Sequence, residues 1–157
     1  METLKLRKAD ANEIELMAKA RVEYCLREAS LDDKSEYNKF LSDVTEWTAR
    51  NVKNENYIGY FGYLDGKIVC FAGVLLSELP PILINRNRKQ GYILSFFTYP
   101  GYRRQGIGNK LMQYLMEDAK KMGIQKLALI ATDEGIPLYR KNGFNEPNML
   151  YMEKKLN

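Results

Sequence analysis

The sequence predicts a mixed α/β fold, in which helices flank a central twisted, mostly antiparallel sheet. Apolar residues recur at helical spacing in residues 9–52 and at strand spacing in residues 56–79. The Asp65-Gly66 dipeptide joins two β-rich runs and is a strong hairpin signal. In the second half strands alternate with helices, which favours some parallel pairing. Because no linker or internal repeat divides the 157 residues, we expect one domain, residues 1–157.

Each element follows from its local pattern. A short alternating run at residues 3–7 predicts the first strand, and Asp10 is the expected N-cap of the next helix. The patterns then predict two helices (9–28 and 37–52), a hairpin (56–79), a strand (92–100), a helix (106–122), a strand (126–132), a short helix (134–143) and one or two final strands (144–156). The expected order is β-α-α-β-β-β-α-β-α-β, with six to seven strands and about four helices.

Composition excludes several kinds of chemistry. The chain has no histidine and two cysteines, Cys25 and Cys70, so Ser-His and Cys-His catalysis and the common zinc sites are excluded, and we expect no metal. The net charge of +4 does not require a nucleic-acid partner, and we expect none. Because there is neither a run of transmembrane length nor a signal-peptide core, we expect a cytoplasmic protein with no membrane partner.

The helix that begins near residue 107 has an unusual start. Three cations, Arg103, Arg104 and Lys110, lie in or next to its first turns. No Ser, Thr, Asp or Asn precedes the helix as an N-cap. The helix dipole is already positive at this end, and the first N–H groups lack partners within the helix. Gly106 and Gly108 remove side chains that would block a close approach. These features together predict a bound anion such as a phosphate.

Two common phosphate motifs do not fit this segment. Gly101 and Gly106 have the spacing of a P-loop, but Ile107-Gly108 stands where Lys-Ser/Thr is needed. The dinucleotide pattern G-x-G-x-x-G fails because Leu111 occupies the third glycine position.

Two motifs instead resemble those of the GNAT family of acetyl-CoA-dependent N-acetyltransferases. Arg103, Gly106 and Gly108 match R-x-x-G-x-G at the end of a strand, and LYRKNGF (residues 138–144) is similar to the family's LYxxxGF. The motifs cover residues 92–144, and the first half resembles the family only in its element order. The resemblance implies a GNAT-like domain that moves an acetyl group from acetyl-CoA directly to a primary amine.

The resemblance also implies which residues bind the cofactor. The strand before the loop splays from its neighbour, and its backbone pairs with the pantetheine arm, while the loop and the start of the helix hold the pyrophosphate. The implied cofactor-binding residues are Phe96, Phe97, Thr98, Arg103, Arg104, Gln105, Gly106, Ile107, Gly108, Asn109, Lys110, Thr132 and Tyr139.

The implied general acid is Tyr139, which matches the tyrosine that faces the cofactor sulfur in the family. The sequence departs from the family pattern at Thr132, which replaces a common Asn, and at Gly135, which replaces a common Ala. The strand before the loop also lacks the Glu that serves many relatives as a base. Three alternatives stay open: Glu78, a water ordered by Ser95, or loss of the amine proton to solvent.

The acceptor is expected to bind between the first two helices and the central hairpin. Aromatic candidates for this pocket are Tyr24, Trp47, Tyr57 and Tyr60, and acidic candidates are Asp32, Asp33 and Glu36. The expected partner is a small-molecule amine or a peptide, and the resemblance allows a homodimer. Two alternative functions are a non-catalytic acyl-CoA-binding or regulatory module and a small RNA-binding domain that uses the arginines and lysine of 86–89 and 103–104.

Overall fold

The computed structural model describes residues 3–27 and 33–157. Its elements are β1 (Lys5–Lys8), α1 (Ile14–Cys25), α2 (Lys34–Lys53), β2 (Tyr57–Leu64), β3 (Lys67–Glu78), β4 (Lys89–Thr98), α3 (Ile107–Lys121), β5 (Lys126–Ala128) and α4 (Ile136–Lys141). The predicted mixed α/β class and the order of these nine elements are confirmed.

One sheet with the strand order β1-β2-β3-β4-β5 organises the fold. The first three pairings are antiparallel and the β4–β5 pairing is parallel, so the sheet is mostly antiparallel as predicted. The β2–β3 hairpin turns at Asp65 and Gly66, which have φ angles of +49° and +73°. Positive φ at both central residues matches the twist of the flanking strands, and this explains the choice of Asp-Gly.

Each face of the sheet carries its own core. On one face α1 contributes Met17 and Ala20, which pack with Phe61, Phe71 and Phe97 of the sheet. On the other face the apolar stripe of α3 packs on the remaining inward side chains of the sheet, in the cluster Tyr60, Val69, Cys70, Ala72, Val74, Ile93, Ile107, Leu111, Met112 and Leu115. The helix α2 joins the first face through α1, because Val44 packs with Ala18 and Val22 of α1.

The start of α1 differs from the prediction. Asp10 is not its N-cap; the cap position is Glu13, and no side chain accepts a hydrogen bond there. The Glu13 carboxylate instead accepts from the Asp10 N–H at 2.7 Å and from both terminal nitrogens of Arg7 at 2.7 and 2.8 Å. This bidentate ion pair joins β1 to α1 and lowers the Glu13 pKa to about 2, chiefly through the hydrogen bond from Arg7.

The sheet has fewer strands than the predicted six to seven. Five are present among the described residues, and the expected strand or strands in residues 144–156 do not form. A strand needs a partner for its backbone, and this segment has none within the single chain. The strand at 126–132 is also shorter than expected, because β5 loses contact with β4 after Ala128. Within 3–27 and 33–157, no helix combines the length and apolarity that crossing a membrane requires.

Candidate active site

The opening between β4 and β5 is the first feature of the site. β5 pairs with β4 only from Gln90–Lys126 to Tyr92–Ala128, whereas β4 continues to Thr98. Beyond Tyr92 this edge of β4 has no strand partner among the described residues. Unpaired N–H and C=O groups on a strand edge can bind an extended ligand as if it were another strand. The structure therefore has a splayed strand of the kind that the resemblance implies.

A β-bulge lies in β4 beside this opening. Between Leu94 and Phe97, two residues of β4 face a single residue of β3. The first of the two, Ser95, has a left-handed φ of +57°. The extra residue of a bulge leaves backbone groups outside the strand ladder. The bulge therefore offers a candidate N–H donor for an oxyanion that develops in the opening.

The Ser95 side chain contacts α1. Ser95 is 2% exposed, and its hydroxyl accepts a hydrogen bond from the Arg21 guanidinium at 3.0 Å. Arg21 also lies over the Tyr24 ring, 5.9 Å from its centroid, and has no carboxylate partner in the described part of the chain. The sequence predicted a role for Ser95 but missed Arg21, because nothing in the α1 pattern distinguishes this arginine from other polar residues.

Tyr139 packs against the splayed part of β4. Its ring meets Phe96 of β4 and Phe144 edge-on, with both centroid separations at 6.0 Å. Burial raises the pKa of the Tyr139 phenol, and the nearby phenol of Tyr24 raises it further. Across residues 3–27 and 33–157, nothing accepts a hydrogen bond from its hydroxyl. Tyr139 is thus protonated at neutral pH with its proton available for donation.

The residues before α4 set the position of this ring. A Cβ on Gly135 would lie 2.6 Å from Cε2 and 3.2 Å from the hydroxyl oxygen of Tyr139. Because Gly135 has no side chain, the Tyr139 ring can pack directly against its backbone. The Thr132 carbonyl accepts from the N–H groups of Gly135 and Ile136 at 2.9 and 3.2 Å, which starts α4. The Thr132 side chain is exposed beside this turn.

The N-terminus of α3 has no cap from the protein itself. Its cap position is Gly106, and neither a capping side chain nor an acid in the first turn satisfies the helix end. The first helical hydrogen bond runs from the Lys110 N–H to the Gly106 carbonyl at 3.1 Å, so the N–H groups before Lys110 have no partner within the helix. Arg104 and Gly106 have φ angles of +60° and +77°. Left-handed residues in such loops are typical of anion-binding nests.

The two glycines of the motif have different roles. A Cβ on Gly106 would meet nothing within 4 Å, so this glycine is needed for its backbone conformation. A Cβ on Gly108 would lie 3.0 Å from Cδ1 of Leu138 and 3.7 Å from the Thr98 hydroxyl oxygen. Gly108 therefore allows α3 to pack closely against α4 and the end of β4.

Some polar side chains of the loop and the first turn of α3 form hydrogen bonds within the chain, and others are exposed. The Arg103 Nε donates to the Thr98 carbonyl at 3.0 Å, which fixes the loop against β4. Asn109 accepts at 2.9 Å from Asn142, which joins the start of α3 to the end of α4. Arg104 and Lys110 are exposed and form no ion pair in the described part of the chain, so they can attract an anion to this end of α3.

The predicted base candidate Glu78 is not brought to the opening. It pairs with Lys89, six residues before Ser95, which corresponds to roughly 20 Å along a strand. A different carboxylate, Glu23 of α1, accepts a short hydrogen bond from the Tyr99 hydroxyl just after β4. This pair fixes α1 to the end of β4, and no local pattern indicates it because the two residues are 76 positions apart.

The predicted acceptor residues divide between the cleft and the core. Tyr24 lies 5.9 Å from Phe97 of β4 and close enough to Tyr139 to influence its pKa. Trp47 and Tyr57 pack edge-on at 4.9 Å within the α1 face of the sheet. Tyr60 is buried on the α3 face, where its hydroxyl donates to Asp118 at 2.7 Å, so it does not line an acceptor pocket.

The predicted acids do not form an acceptor pocket in the described structure. Asp33 caps α2 by accepting from the Ser35 N–H at 2.8 Å, and Glu36 is exposed in the first turn of that helix. Asp32 lies outside the described residues.

These features fit the cofactor that the sequence motifs imply. The unpaired edge of β4 leads to a helix N-terminus that lacks an internal cap, and exposed cations flank that terminus. A thioester arm with a diphosphate at its far end has the matching chemistry: amide groups that pair with a strand, and a polyanion that caps a helix.

Comparison with known proteins gives a consistent result. The model of the acetyltransferase (GNAT) family matches residues 21–144. A glucosamine 6-phosphate N-acetyltransferase from Trypanosoma brucei brucei is 30% identical over 79 residues, which are 50% of this chain and 52% of that protein. The [ribosomal protein bS18]-alanine N-acetyltransferase of Escherichia coli K12 is 28% identical over 107 residues, 65% of this chain and 64% of that protein. This chain thus spans between half and two thirds of these curated relatives.

Solved structures share the whole fold. A predicted acetyltransferase from Clostridium acetobutylicum, solved with acetyl-CoA, has a TM-score of 0.82 at 24% identity, with 98% of this chain and 97% of that chain covered. A GCN5-related N-acetyltransferase from Ralstonia eutropha JMP134 has a TM-score of 0.77 at 25% identity, with 97% and 99% covered. The family prediction made from the two motifs is confirmed: the chain belongs to the GNAT family of acetyltransferases.

Proposed function

We propose that this chain is an N-acetyltransferase that moves an acetyl group from acetyl-CoA directly to a primary amine of a small molecule or peptide. One observation carries the proposal: the unpaired edge of β4 connects an uncapped helix N-terminus to a tyrosine with an available proton. Family membership supports the same reaction class, and acetyl-CoA is the cofactor that the family uses.

The chain's own groups divide the binding of the cofactor between two regions. The backbone of Phe96 and Phe97, beyond the last β4–β5 pair, receives the pantetheine arm. The first N–H groups of α3 receive the pyrophosphate, and Arg104 and Lys110 add positive charge there. The Arg103 guanidinium also donates to the Thr98 carbonyl, which fixes the loop against β4.

Acetyl-CoA supplies an activated acetyl thioester, which an unprotonated amine can attack without a protein nucleophile. The Tyr139 hydroxyl gives its proton to the departing sulfur, and its raised pKa keeps that proton in place until it is needed. A bulge N–H near Ser95 donates to the oxygen on which negative charge develops. Positioning of the two substrates by these groups supplies much of the remaining rate gain.

In this proposal the ammonium form of the acceptor loses one proton to water before the attack. The nitrogen loses a second proton to water as the amide forms, and water returns a proton to the Tyr139 phenolate. In the described part of the chain no carboxylate bonds to Ser95, Arg21 or Tyr139. The Arg21 guanidinium beside Ser95 places a positive charge near the reaction centre, and a nearby like charge disfavours the ammonium form of the acceptor. Arg21 therefore helps the acceptor to enter as a free amine.

The names of the relatives suggest two kinds of acceptor to test first. One relative is named for an amino sugar phosphate and the other for the alanine of a ribosomal protein. Both acceptor types present a primary amine. A panel for this chain therefore contains amino sugars with and without phosphate, peptides with a free N-terminus, aminoglycosides and polyamines.

Two measurements test the proposal. Calorimetry with CoA, ATP and RNA is expected to show micromolar CoA binding and no binding of ATP or RNA. A thiol-release assay across the amine panel is expected to show turnover with at least one primary amine. Absence of CoA binding would refute the proposal, and CoA binding without turnover on any amine would favour the non-catalytic acyl-CoA module.

The route of the amine proton has its own test. If water takes the proton, the acid limb of the kcat/KM profile moves with the pKa of the amine when acceptors of different basicity are compared. A limb that keeps one midpoint for all acceptors would instead identify a titrating group of the protein as the base.

A further inference from the structure

The Arg21 guanidinium of α1 is held beside the β4 bulge, on the side of the sheet where the acceptor is expected to bind. A guanidinium has several N–H donors, and within residues 3–27 and 33–157 only the Ser95 hydroxyl accepts from Arg21, at 3.0 Å. Because Ser95 is 2% exposed, its hydroxyl fixes the guanidinium in one place. The remaining donors are therefore suited to a group from outside the chain.

A second guanidinium lies over the same strand. Arg27, in the turn that follows α1, has its guanidinium carbon 5.9 Å from the centroid of the Phe97 ring. Phe97 is two residues beyond Ser95 on β4, which corresponds to roughly 7 Å along a strand. Arg27 is exposed. Among the described residues neither arginine has a carboxylate partner, so two cations lie over one short stretch of β4.

Nearby acids do not cancel this charge. The strand β4 contains no Asp or Glu. On α1, Glu15 is exposed in the first turn, far from the bulge, and Glu23 accepts the hydrogen bond from Tyr99. Glu134, in the turn before α4, lies 4.0 Å from Arg103 of the loop. The surface formed by α1 and β4 beside the bulge is therefore positive in the part of the chain that the structure describes.

This positive surface adjoins the proposed reaction centre. The Arg21 guanidinium carbon lies 5.9 Å from the centroid of the Tyr24 ring. Burial raises the pKa of the Tyr139 phenol, and Tyr24 lies near enough to raise it further. One aromatic ring thus connects the cation to the proposed acid. An amine that reaches the opening has the rest of its molecule close to Arg21.

We propose that the acceptor is an anionic amine, a small molecule with a carboxylate or phosphate near its primary amine, and that Arg21 binds this oxyanion while Arg27 adds a second positive charge. The proposal rests on the acetyltransferase function proposed above. Guanidinium groups bind carboxylates and phosphates through paired N–H donors. Polyamines and aminoglycosides carry several positive charges, so the same surface repels them.

Binding of an anion agrees with the proposed route of the amine proton. A carboxylate or phosphate within the acceptor favours its own ammonium form, because opposite charges stabilise each other. Arg21 offsets that negative charge when it binds the anion. The bound amine therefore loses its proton more readily than it would without the arginine.

The first test compares acceptors with and without the anion. The two pairs are an amino acid with its amide and an amino sugar phosphate with the free amino sugar, and kcat/KM is expressed per unprotonated amine. The parent enzyme is expected to prefer the anionic member of at least one pair by on the order of 10-fold to 100-fold. Arg21→Gln is expected to remove most of this preference. Arg86→Gln is the matched control, because Arg86 is exposed in the β3–β4 loop, and it is expected to keep the preference.

Two results of this comparison would overturn the proposal. One is equal use of the charged and uncharged members of both pairs by the parent enzyme. The other is a preference that stays unchanged in Arg21→Gln. Either result would leave the acetyltransferase function intact, because turnover itself would have been observed.

The second test measures binding without turnover. Calorimetry on the CoA complex uses analogues in which a hydroxyl replaces the amine, a hydroxy acid and a sugar phosphate. The parent protein is expected to bind at least one of them, and the one that binds shows whether the anion is a carboxylate or a phosphate. Arg21→Gln is expected to bind it at least about 10-fold more weakly, and Arg21→Lys to lie between the two, because lysine keeps the charge but not the paired donors. Binding of neither analogue would contradict the anion site, whether or not the protein acetylates an amine.

Discussion

Tyr139→Phe isolates the proton that the proposed mechanism needs. The Tyr139 ring packs edge-on against Phe96 and Phe144, and phenylalanine preserves both contacts. Its hydroxyl donates to no acceptor in the described structure, so the substitution breaks no hydrogen bond there. We therefore expect the free energy of unfolding to change by less than about 0.5 kcal/mol.

The expected effect on turnover is large by comparison. General acid catalysis contributes on the order of 100-fold to 10,000-fold. Because the Tyr139 side chain is only half-buried, water can protonate part of the leaving thiolate, so we expect the lower end of this range. A 100-fold fall in kcat corresponds to about 2.7 kcal/mol of transition-state stabilisation. The KM for acetyl-CoA is expected to stay within roughly twofold, because the hydroxyl acts at the leaving group.

The assay is thiol release at saturating acetyl-CoA and amine, with thermal unfolding measured in parallel. Tyr114→Phe is the matched control, since Tyr114 is half-buried on α3 and packs with Tyr60 away from the opening. Because burial raises the pKa of Tyr139, activity of the parent enzyme is expected to persist to about pH 10, the ordinary value for tyrosine. A kcat for Tyr139→Phe equal to that of Tyr114→Phe would remove Tyr139 from the acid role.

Three further predictions concern the start of α3, the ion pair between Arg7 and Glu13, and the Arg21 guanidinium. Gly106→Ala forces a side chain onto a residue with a φ of +77°, which costs about 1–2 kcal/mol. Calorimetry is expected to show a larger loss of CoA affinity for this variant than for the control Gly101→Ala, whose φ is +89°. Equal losses in the two variants would contradict the argument that CoA caps α3. The Glu13 pKa is lowered to about 2 from 4.5, so its ion pair stabilises the fold above pH 4.5 and that contribution is lost as pH falls towards 2. Urea unfolding of Glu13→Gln is therefore expected to depend less steeply on pH in that window, and an unchanged slope would refute the assignment. Arg21→Gln removes the cation beside Ser95. The acid limb of kcat, which reports the bound amine, is then expected to move to higher pH, and a limb that stays in place would contradict the proposed effect on the amine.

The elements that sequence predicted well are those with local causes. The hairpin at Asp65-Gly66 depends on the conformations that two adjacent residues adopt, so the dipeptide alone specifies it. The helix α3, predicted at 106–122 and found at Ile107–Lys121, depends on its own apolar stripe and on a glycine at Gly123. The uncapped start of α3 could also be read directly, because capping involves only neighbouring residues.

The features that were not predicted from the sequence, or were predicted wrongly, depend on residues elsewhere in the chain. Arg21 meets Ser95 across 74 positions, and only the tertiary fold brings them together. Asp10 was displaced as the N-cap because Glu13 is held by Arg7 of β1. The final strand at 144–156 has the right composition, but pattern alone does not reveal whether a partner strand is present within the same chain. The β4 bulge depends likewise on the register between two strands.

The close packing around Gly108 connects the proposed phosphate-binding end of α3 to the helix that carries the proposed proton donor. The same turn of α3 that offers its N–H groups to a diphosphate touches Leu138, the neighbour of the acid, and Asn109 is tied to the far end of that short helix through Asn142. The proposed phosphate site and the proton donor therefore belong to one packed unit. A substitution that displaces the start of α3 is expected to weaken cofactor binding and to move the acid at the same time.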